Sequence, residues 1–515
     1  MTAPHRPELA AQSIGLWSML AGAIIAQQVG SKAVRDGLFL AHVSAHALPR
    51  AMLLGAVFSV PIVLGVSTAL TRHGPRRVAA ALLFGSSALF GLEWALLARA
   101  PVLTAWLLYL HIATLGGTTI SAFFSNVSEH FDPHRAREAS SRVISGAAIG
   151  GMVGGLGVSW LAHTFGQHEL LAILSLVNLG CAGVLACMRS PPTQAQPAKT
   201  RWGLALALDS LAQSDYLRSI AYLVLLTGFT SALLDFNFKL EASRSAAAGP
   251  QLLQLFALFH TTTAIVTAIV QVAVAQPALE RLGLAGTLAA LPGALLLGGA
   301  FGPFMPRMWN TLLLRATSSV LESSLFRSAY EPLYTPLSQQ RRRSIKTLID
   351  VAGGRLGEAL GSVALLLLAL LWPKTQLVPA LGCAMLGAAV ALLLSIKMHS
   401  GYVAELAASL RKGSVRLNQN EVVDSTTRLT LSQTHVELER GQLLAEIAAQ
   451  RASTSPPAPP PLAPPLREAD QALVTAAGDL LSANHARVTQ VLRRGPLDLR
   501  LVRIAIGLLE HSLLV

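Results

Sequence analysis

The amino-acid sequence predicts an all-α polytopic membrane protein, on three observations. Of its 515 residues, 52% are hydrophobic and only 13% are charged, against roughly 25% charged in an ordinary soluble domain. The apolar residues fall in long runs, among them Ala51–Leu70, Val78–Ala98, Gly361–Trp372 and Leu377–Ile396. A run of about 18 residues or more crosses the ~30 Å hydrocarbon core as a helix, a form that satisfies its own backbone hydrogen bonds there. Lysine and arginine, finally, gather in alternate connections between the runs, the asymmetry that sets membrane topology.

Twelve spans follow in order, at 14–34, 51–70, 78–98, 101–124, 143–163, 168–188, 217–238, 252–275, 284–302, 308–329, 347–372 and 376–396. The first is too long, and too polar at its end, for a cleaved signal peptide. With the N-terminus in the cytoplasm, Arg72, Arg76, Arg77, Arg135, Arg137, Arg142, Arg189, Lys199, Arg201, Arg218, Arg281, Arg341, Arg342, Arg343 and Lys346 all fall inside. The opposite connections hold only Arg35, Arg50, Arg99, Lys239, Arg244, Arg307 and Lys374. Both termini are therefore expected in the cytoplasm, with an even span count.

The longest interruption, after Arg189, carries Pro191, Pro192 and Pro197 and reads as a linker between two halves. Residues 1–188 form the first six-span half, 189–216 the linker and 217–396 the second half. A repeat supports the division: Thr71-Arg72-His73-Gly74 follows span two and Glu280-Arg281-Leu282-Gly283 follows span eight, the matching place. Two related six-span halves are the repeat pattern of the major facilitator fold. Beyond 396 the chain turns polar. Residues 397–452 read as a cytoplasmic helical segment, 453–466 as a Pro-rich linker and 467–515 as a small helical tail, too short to bury a good core alone.

Ionisable residues inside spans cost at least ~2.5–3.5 kcal/mol on insertion scales, so each one points to a partner or a role. Gln28, Lys32, Arg35 and Asp36 share one face at the end of span one, and Asp235 and Lys239 stand four apart and able to pair. Span ten carries Arg315, Glu322 and Arg327, and span eleven Lys346, Asp350, Arg355 and Glu358. Lys32, Arg35, Asp36 and Lys239 lie near the expected span ends, where snorkelling is cheap; Arg315, Glu322 and Arg355 lie deeper. Gly150, Gly151, Gly154 and Gly155 on span five are read as close helix packing. Cations from spans one, seven, ten and eleven around a central cavity suit an anionic solute. Candidate gating loops hold Arg72, Gly74, Arg76 and Arg77 in the first half, and Glu280, Arg281 and Gly283 in the second.

Other classes lack support. The net charge of +13 forms no basic stripe with interleaved aromatics, so nucleic acid is not an expected partner. Cys181, Cys187 and Cys383 sit in apolar segments and form neither a disulfide framework nor a metal spacing. No phosphate-cradling Gly-x-x-x-x-Gly-Lys-Ser/Thr loop, His-Glu-x-x-His motif or arguable Ser-His-Asp set is present, and neither an enzyme nor a cofactor is expected.

The loop Thr71-Arg72-His73-Gly74-Pro75-Arg76-Arg77 resembles the major facilitator loop after span two, with Thr71 in place of its Asp. From about Gln28 to Gly413 the chain also resembles, in scattered blocks, the ATP:ADP antiporter (nucleotide transport protein) family, in its bacterial branch fused to HEAT-like repeats. The blocks are Lys32-Ala33-Val34-Arg35-Asp36, Phe131–Arg137 followed by Gly146–Gly155, Asp235-Phe236-Asn237-Phe238-Lys239, and Tyr330-Glu331-Pro332-Leu333-Tyr334-Thr335-Pro336-Leu337 through Lys346, Asp350, Arg355 and Gly357. Ala33 stands where the family has an acid, and Tyr330 and Glu358 stand where the nucleotide exchangers have lysines. The resemblance implies an inner-membrane transporter of nucleotide or another phosphorylated metabolite.

The expectation is thus an alternating-access transporter of a small anionic solute in a lipid bilayer, with a protein partner for the C-terminal tail. Two alternatives stand beside it: a lipid or amphiphile transporter, and a membrane scaffold or sensor that signals through the tail.

Overall fold

The computed structural model describes residues 7–130, 133–188, 209–245, 250–337, 342, 345–346, 348–373, 375–411 and 424–453. Residues 189–208 of the expected linker, the 341–346 basic cluster apart from Arg342, Ile345 and Lys346, most of the Pro-rich segment and the 467–515 tail lie outside the described residues. Two compact units divide the chain at Leu438 and Glu439.

The first unit is a helical bundle, and no strand occurs among the described residues. Spans one to six are Pro7–His42, Leu48–His73, Pro75–Leu97, Pro101–His130, Pro133–Phe165 and Gln167–Cys187. Span seven is Asp215–Ser245 and span eight Pro250–Ala273. Helix Ala275–Phe301 breaks at Gly283 (φ 68, ψ −173), so span nine proper starts at Leu284. Span ten is assembled from Arg307–Leu321, a π-helical turn at Glu322–Phe326 and a last turn at Arg327–Tyr330. Span eleven opens with a second π-helical turn, Ile349–Gly353, and continues as Gly354–Leu371; span twelve is Leu377–Arg411.

Eleven helices among the described residues are long and apolar enough to cross a membrane. Span ten is the exception, because Arg315, Glu322 and Arg327 dilute its hydropathy and the π turn divides it. The protein is an integral membrane protein of twelve spans.

The face at which span one begins is called the near face here, and the opposite one the far face. Gly74 (φ 80) and Gly283 make the same left-handed break at matching places in the two halves, a conformation that suits only a residue without Cβ. Spans one and five run so close that a Cβ on Gly154 would lie 2.2 Å from the Ala26 carbonyl oxygen, and one on Gly150 2.0 Å from that of Gly22. Small residues are what permit this approach.

The cores show how the halves meet. Near the near face the first half has a core of its own, built on Trp17, Leu20, Leu83, Phe123 and Leu185. Toward the far face, Leu38, Phe39 and Leu108 of the first half share one continuous core with Leu253 and Phe256 of the second. A Cβ on Gly37 would lie 3.2 Å from the Leu253 Cα, and one on Gly155 3.2 Å from the Ala257 carbonyl oxygen. The halves are joined on the far side and have separate cores on the near side.

Two expected boundaries move. Span one runs on to His42, so Lys32, Arg35 and Asp36 lie within the helix and not at its end, with Asp36 buried and Lys32 exposed. Span twelve continues unbroken to Arg411, so the division expected at 396 is not a structural break. Ser425–Ser453 then forms a further helix. Its first turns belong to the bundle: Leu431 is wholly buried in the shared core, and Thr427 Oγ1 lies 2.5 Å from the Tyr402 hydroxyl. Asp424 caps this helix by accepting from the Thr427 N–H at 2.7 Å.

Candidate functional site

Span one supplies Lys32, Arg35 and Asp36 from successive turns of one face, and span seven supplies Asp235 and Lys239 one turn apart. Packing the two spans brings these residues together at the seam between the halves. Arg35 Nε donates to Asp36 Oδ1 at 2.8 Å. Lys239 Nζ lies 3.0 Å from the same oxygen and 2.7 Å from Asp235 Oδ2. Arg315 of span ten donates from Nε to Asp235 Oδ1 and from Nη1 to Ser231 Oγ, both at 3.0 Å. From span eight, His260 Nε2 lies 3.4 Å from the remaining Asp36 oxygen, Oδ2. Beneath the cations, the Tyr109 ring of span four lies 4.9 Å from the Arg35 guanidinium carbon and 5.7 Å from Lys239 Nζ, within cation–π range.

Burial makes these pairs interdependent. Asp36 and Lys239 are each 1% exposed, and a charge so deep is tolerated only when paired and hydrogen-bonded. Cutting one partner strands the other, at about 3–5 kcal/mol. Phe236 and Phe238, both buried, flank Asn237 and hold the segment that carries Asp235 and Lys239.

The charges do not balance. Lys32, Arg35, Lys239 and Arg315 face Asp36 and Asp235. Glu322 lies beside Ser231 and Arg315, with Arg327 and Glu358 also near it. Lys32 is the one left over. No carboxylate among the described residues pairs with it, and its charged neighbours are Arg35, Arg315, Asp36 and Asp235. Its side chain is exposed, whereas Asp36 and Lys239 beside it are buried.

The remaining candidates fall elsewhere. Gln28, one turn before Lys32, turns its amide against Gly116 of span four and touches none of the charges. Arg355 Nη1 donates to Glu358 at 2.7 Å within span eleven, so this pair largely answers its own charge. Asp350 sits in the π turn of span eleven and accepts from the Tyr330 hydroxyl, away from the seam. Lys346 pairs with Glu331. Arg315 and Glu322 share span ten, but the ion pair of Arg315 is with Asp235, across on span seven.

The loops read as candidate gates lie at the near face. Arg76 donates from Nη1 to the carbonyl oxygens of Ala186 (3.1 Å) and Met188 at the end of span six, where a cation also suits the helix dipole. Gly74 is the hinge of that loop, and Arg72 and Arg77 are exposed. In the second half Glu280 accepts from Gln276 at 2.9 Å and Arg281 is exposed. No cation follows Gly283; there the Leu284 N–H meets Thr426 Oγ1 at 3.4 Å.

Sequence reasoning missed Tyr109, Ser231 and His260, which reach the seam from other spans and have no distinctive spacing. It also missed a buried chain in the first half. Glu93 Oε1 lies 3.0 Å from His111 Nδ1, and Ser86 Oγ 2.8 Å from His111 Nε2. All three side chains are buried, so the chain pins span three to span four. Glu93, an acid within the apolar run Val78–Ala98, was the available signal.

No protein-family model and no curated protein matches the chain. Solved structures do. The nucleoside transporter NupG is similar with a TM-score of 0.54 at 12% identity, over 76% of this chain and 99% of its own. The POT family transporter PepTSo gives 0.52 at 14%, over 78% and 99%. The fold is the twelve-span major facilitator fold. The human organic anion transporter MFSD10 shares it, with a TM-score of 0.51 at 16% identity, over 76% of this chain and 100% of that one. Within the major facilitator fold, the seam between the halves is where a substrate site is built, and here the seam carries the charge network.

Proposed function

We propose that the protein is a secondary transporter of a small anionic solute, working by alternating access. One observation carries the reading: at the seam Lys32, Arg35, Lys239 and Arg315 face Asp36 and Asp235, and Lys32 has an exposed side chain and no carboxylate partner among the described residues. A solute anion there completes the set. Each charge-assisted bond it accepts is worth roughly 1.5–3 kcal/mol. The partition of the cores fits one stage of such a cycle, with the far side joined and the near side parted. With the near face in the bacterial cytoplasm, as the basic connections imply, this is the inward-facing stage.

Within anions, a phosphorylated metabolite is the substrate class we favour, since the Lys32–Asp36, Asp235–Lys239 and Tyr330–Gly357 blocks resemble the ATP:ADP antiporter family. Tyr330 and Glu358 bear on the choice among such solutes. Where the nucleotide exchangers have lysines, the tyrosine hydroxyl donates to Asp350 and the glutamate pairs with Arg355, so neither position presents a free cation. A lipid or amphiphile is less well served, because the seam at this level is charged.

The test is uptake by vesicles reconstituted with the full chain, comparing labelled ATP, ADP and a sugar phosphate with their dephosphorylated counterparts and with a labelled phospholipid. Saturable uptake confined to phosphorylated solutes supports the reading. Uptake of the neutral forms or of the phospholipid alone contradicts it.

A further inference from the structure

Span ten changes pitch between two of its arginines. Arg315 stands in Arg307–Leu321, Arg327 opens the last turn, and the π turn Glu322–Phe326 lies between them. In an unbroken α-helix the step from Arg315 to Arg327 makes about 3.3 turns and leaves the two roughly a third of a turn apart. A π turn takes in one residue more than an α turn. The segment therefore advances as about eleven residues would, close to three whole turns, and Arg327 returns to the face that carries Arg315. Glu322, roughly two turns beyond Arg315, shares that face.

This is not the face turned to lipid. Trp309 and Leu313 are exposed apolar residues that mark the lipid side, and Arg315 lies about half a turn from Leu313. Arg315 accordingly reaches inward, to Asp235 and Ser231 of span seven. Arg327 is exposed on the same inward face, about 16 Å closer to the near face than Arg315. An arginine that snorkels to headgroups at a span end would stand on the other side.

No carboxylate among the described residues pairs with Arg327. The acids near it are Glu322 and Asp350. The first lies beside Ser231 and Arg315, and the second accepts from the Tyr330 hydroxyl. The wall around Arg327 is polar. Ser323, one turn earlier, is exposed, and Ser328 is joined to the exposed Gln271 of span eight at 3.0 Å.

We propose that Arg327 is a second anion-binding station, which holds the solute on the near side between the Lys32–Arg315 site and the aqueous phase. It rests on the anionic-solute reading. A solute of sugar-phosphate size cannot span both stations and is held by each in turn. Glu322, a like charge to the solute on the face between them, keeps the two as separate binding places. Solvent around the exposed Arg327 weakens the bond it makes, so the near station releases its solute readily, as passage along successive sites requires.

The experiment reads the two faces separately. Inside-out membrane vesicles offer the near face of the full-length protein, and right-side-out vesicles the far face, to labelled ATP, ADP or a hexose phosphate. For a solute that the parent carries, Arg327→Gln should raise the KM from the near face about tenfold, the effect of one charge-assisted bond. The far-face KM should stay within about twofold of the parent value. Arg327→Lys, which keeps the charge, should bring the near-face KM back toward the parent value. An unchanged near-face KM in Arg327→Gln, or a rise of equal size from both faces, overturns the station and leaves the anionic-solute reading in place. A parent that carries none of the three solutes overturns that reading and the station with it. Should the melting profile show that Arg327→Gln folds poorly, Arg327→Met keeps the stem without the charge and is scored in the same way.

Discussion

Lys239 of span seven and Asp36 of span one meet at 3.0 Å across the seam between the two halves. Neither has access to solvent sufficient to remain charged alone, and each has a second partner in its own half: Asp235 for the lysine, Arg35 for the aspartate. The seam is therefore held by a charge pair that separation of the halves must break, while each charge keeps a local partner for the stage in which it is broken.

Asp36→Asn should reduce both membrane abundance and transport, because it leaves Arg35 and Lys239 with one carboxylate between them. An uncompensated buried charge costs about 3–5 kcal/mol. Adding Lys239→Gln should recover part of the abundance without recovering transport. Fluorescence-detected size-exclusion of tagged protein reads abundance, and vesicle uptake reads transport.

Arg315→Gln should lower transport about tenfold or more, since roughly 1.4 kcal/mol corresponds to a factor of ten. Abundance should stay near normal, because Asp235 retains Lys239. The informative double variant pairs Arg315→Gln with Asp235→Asn. If Arg315 served only to neutralise Asp235, that double variant would transport normally.

The chain's end beyond span twelve divides in two. The first part is not dispensable, because Leu431 and Thr427 are buried against the bundle and Thr426 meets the Gly283 hinge loop. Loss of Asp424–Leu438 should lower abundance severalfold and lower the melting temperature in detergent, whereas a stop after Ser453 should do neither. Equal stability of the two truncations would show that these contacts contribute nothing.

Reporter fusions at Gln194 and Pro459 should both report the cytoplasm, on the basic-residue asymmetry. Opposite sides would require an odd number of spans between them and would remove the two-halves account.

Much of this was legible from sequence. The apolar runs located the spans, and the four-residue spacing of Asp235 and Lys239 announced their pair. The Thr71–Gly74 and Glu280–Gly283 echo marked two left-handed hinges. Three things were not legible, each for a physical reason. Span one seemed to end near Val34 because polar residues follow, yet those residues pair with another span and stay inside. Arg315 had acids at two places, and only packing against span seven selects Asp235. The Ser425 helix read as polar because of its threonines, but Thr430 and Thr434 return their hydroxyls to carbonyls one turn back, at 2.8 and 2.7 Å. Satisfied in that way, they bury as readily as small apolar residues.

The measurement that bears most directly on the anion site is Lys32→Gln in reconstituted vesicles, with labelled ATP, ADP, a sugar phosphate and their dephosphorylated counterparts offered to parent and variant. Lys32 has no carboxylate partner among the described residues, so its removal strands nothing and should leave abundance and melting unchanged. The account predicts that the parent takes up a phosphorylated solute saturably and that Lys32→Gln loses at least about tenfold of that uptake. Uptake at the parental rate by a normally folded Lys32→Gln protein, or uptake by the parent of neutral solutes alone, would contradict it.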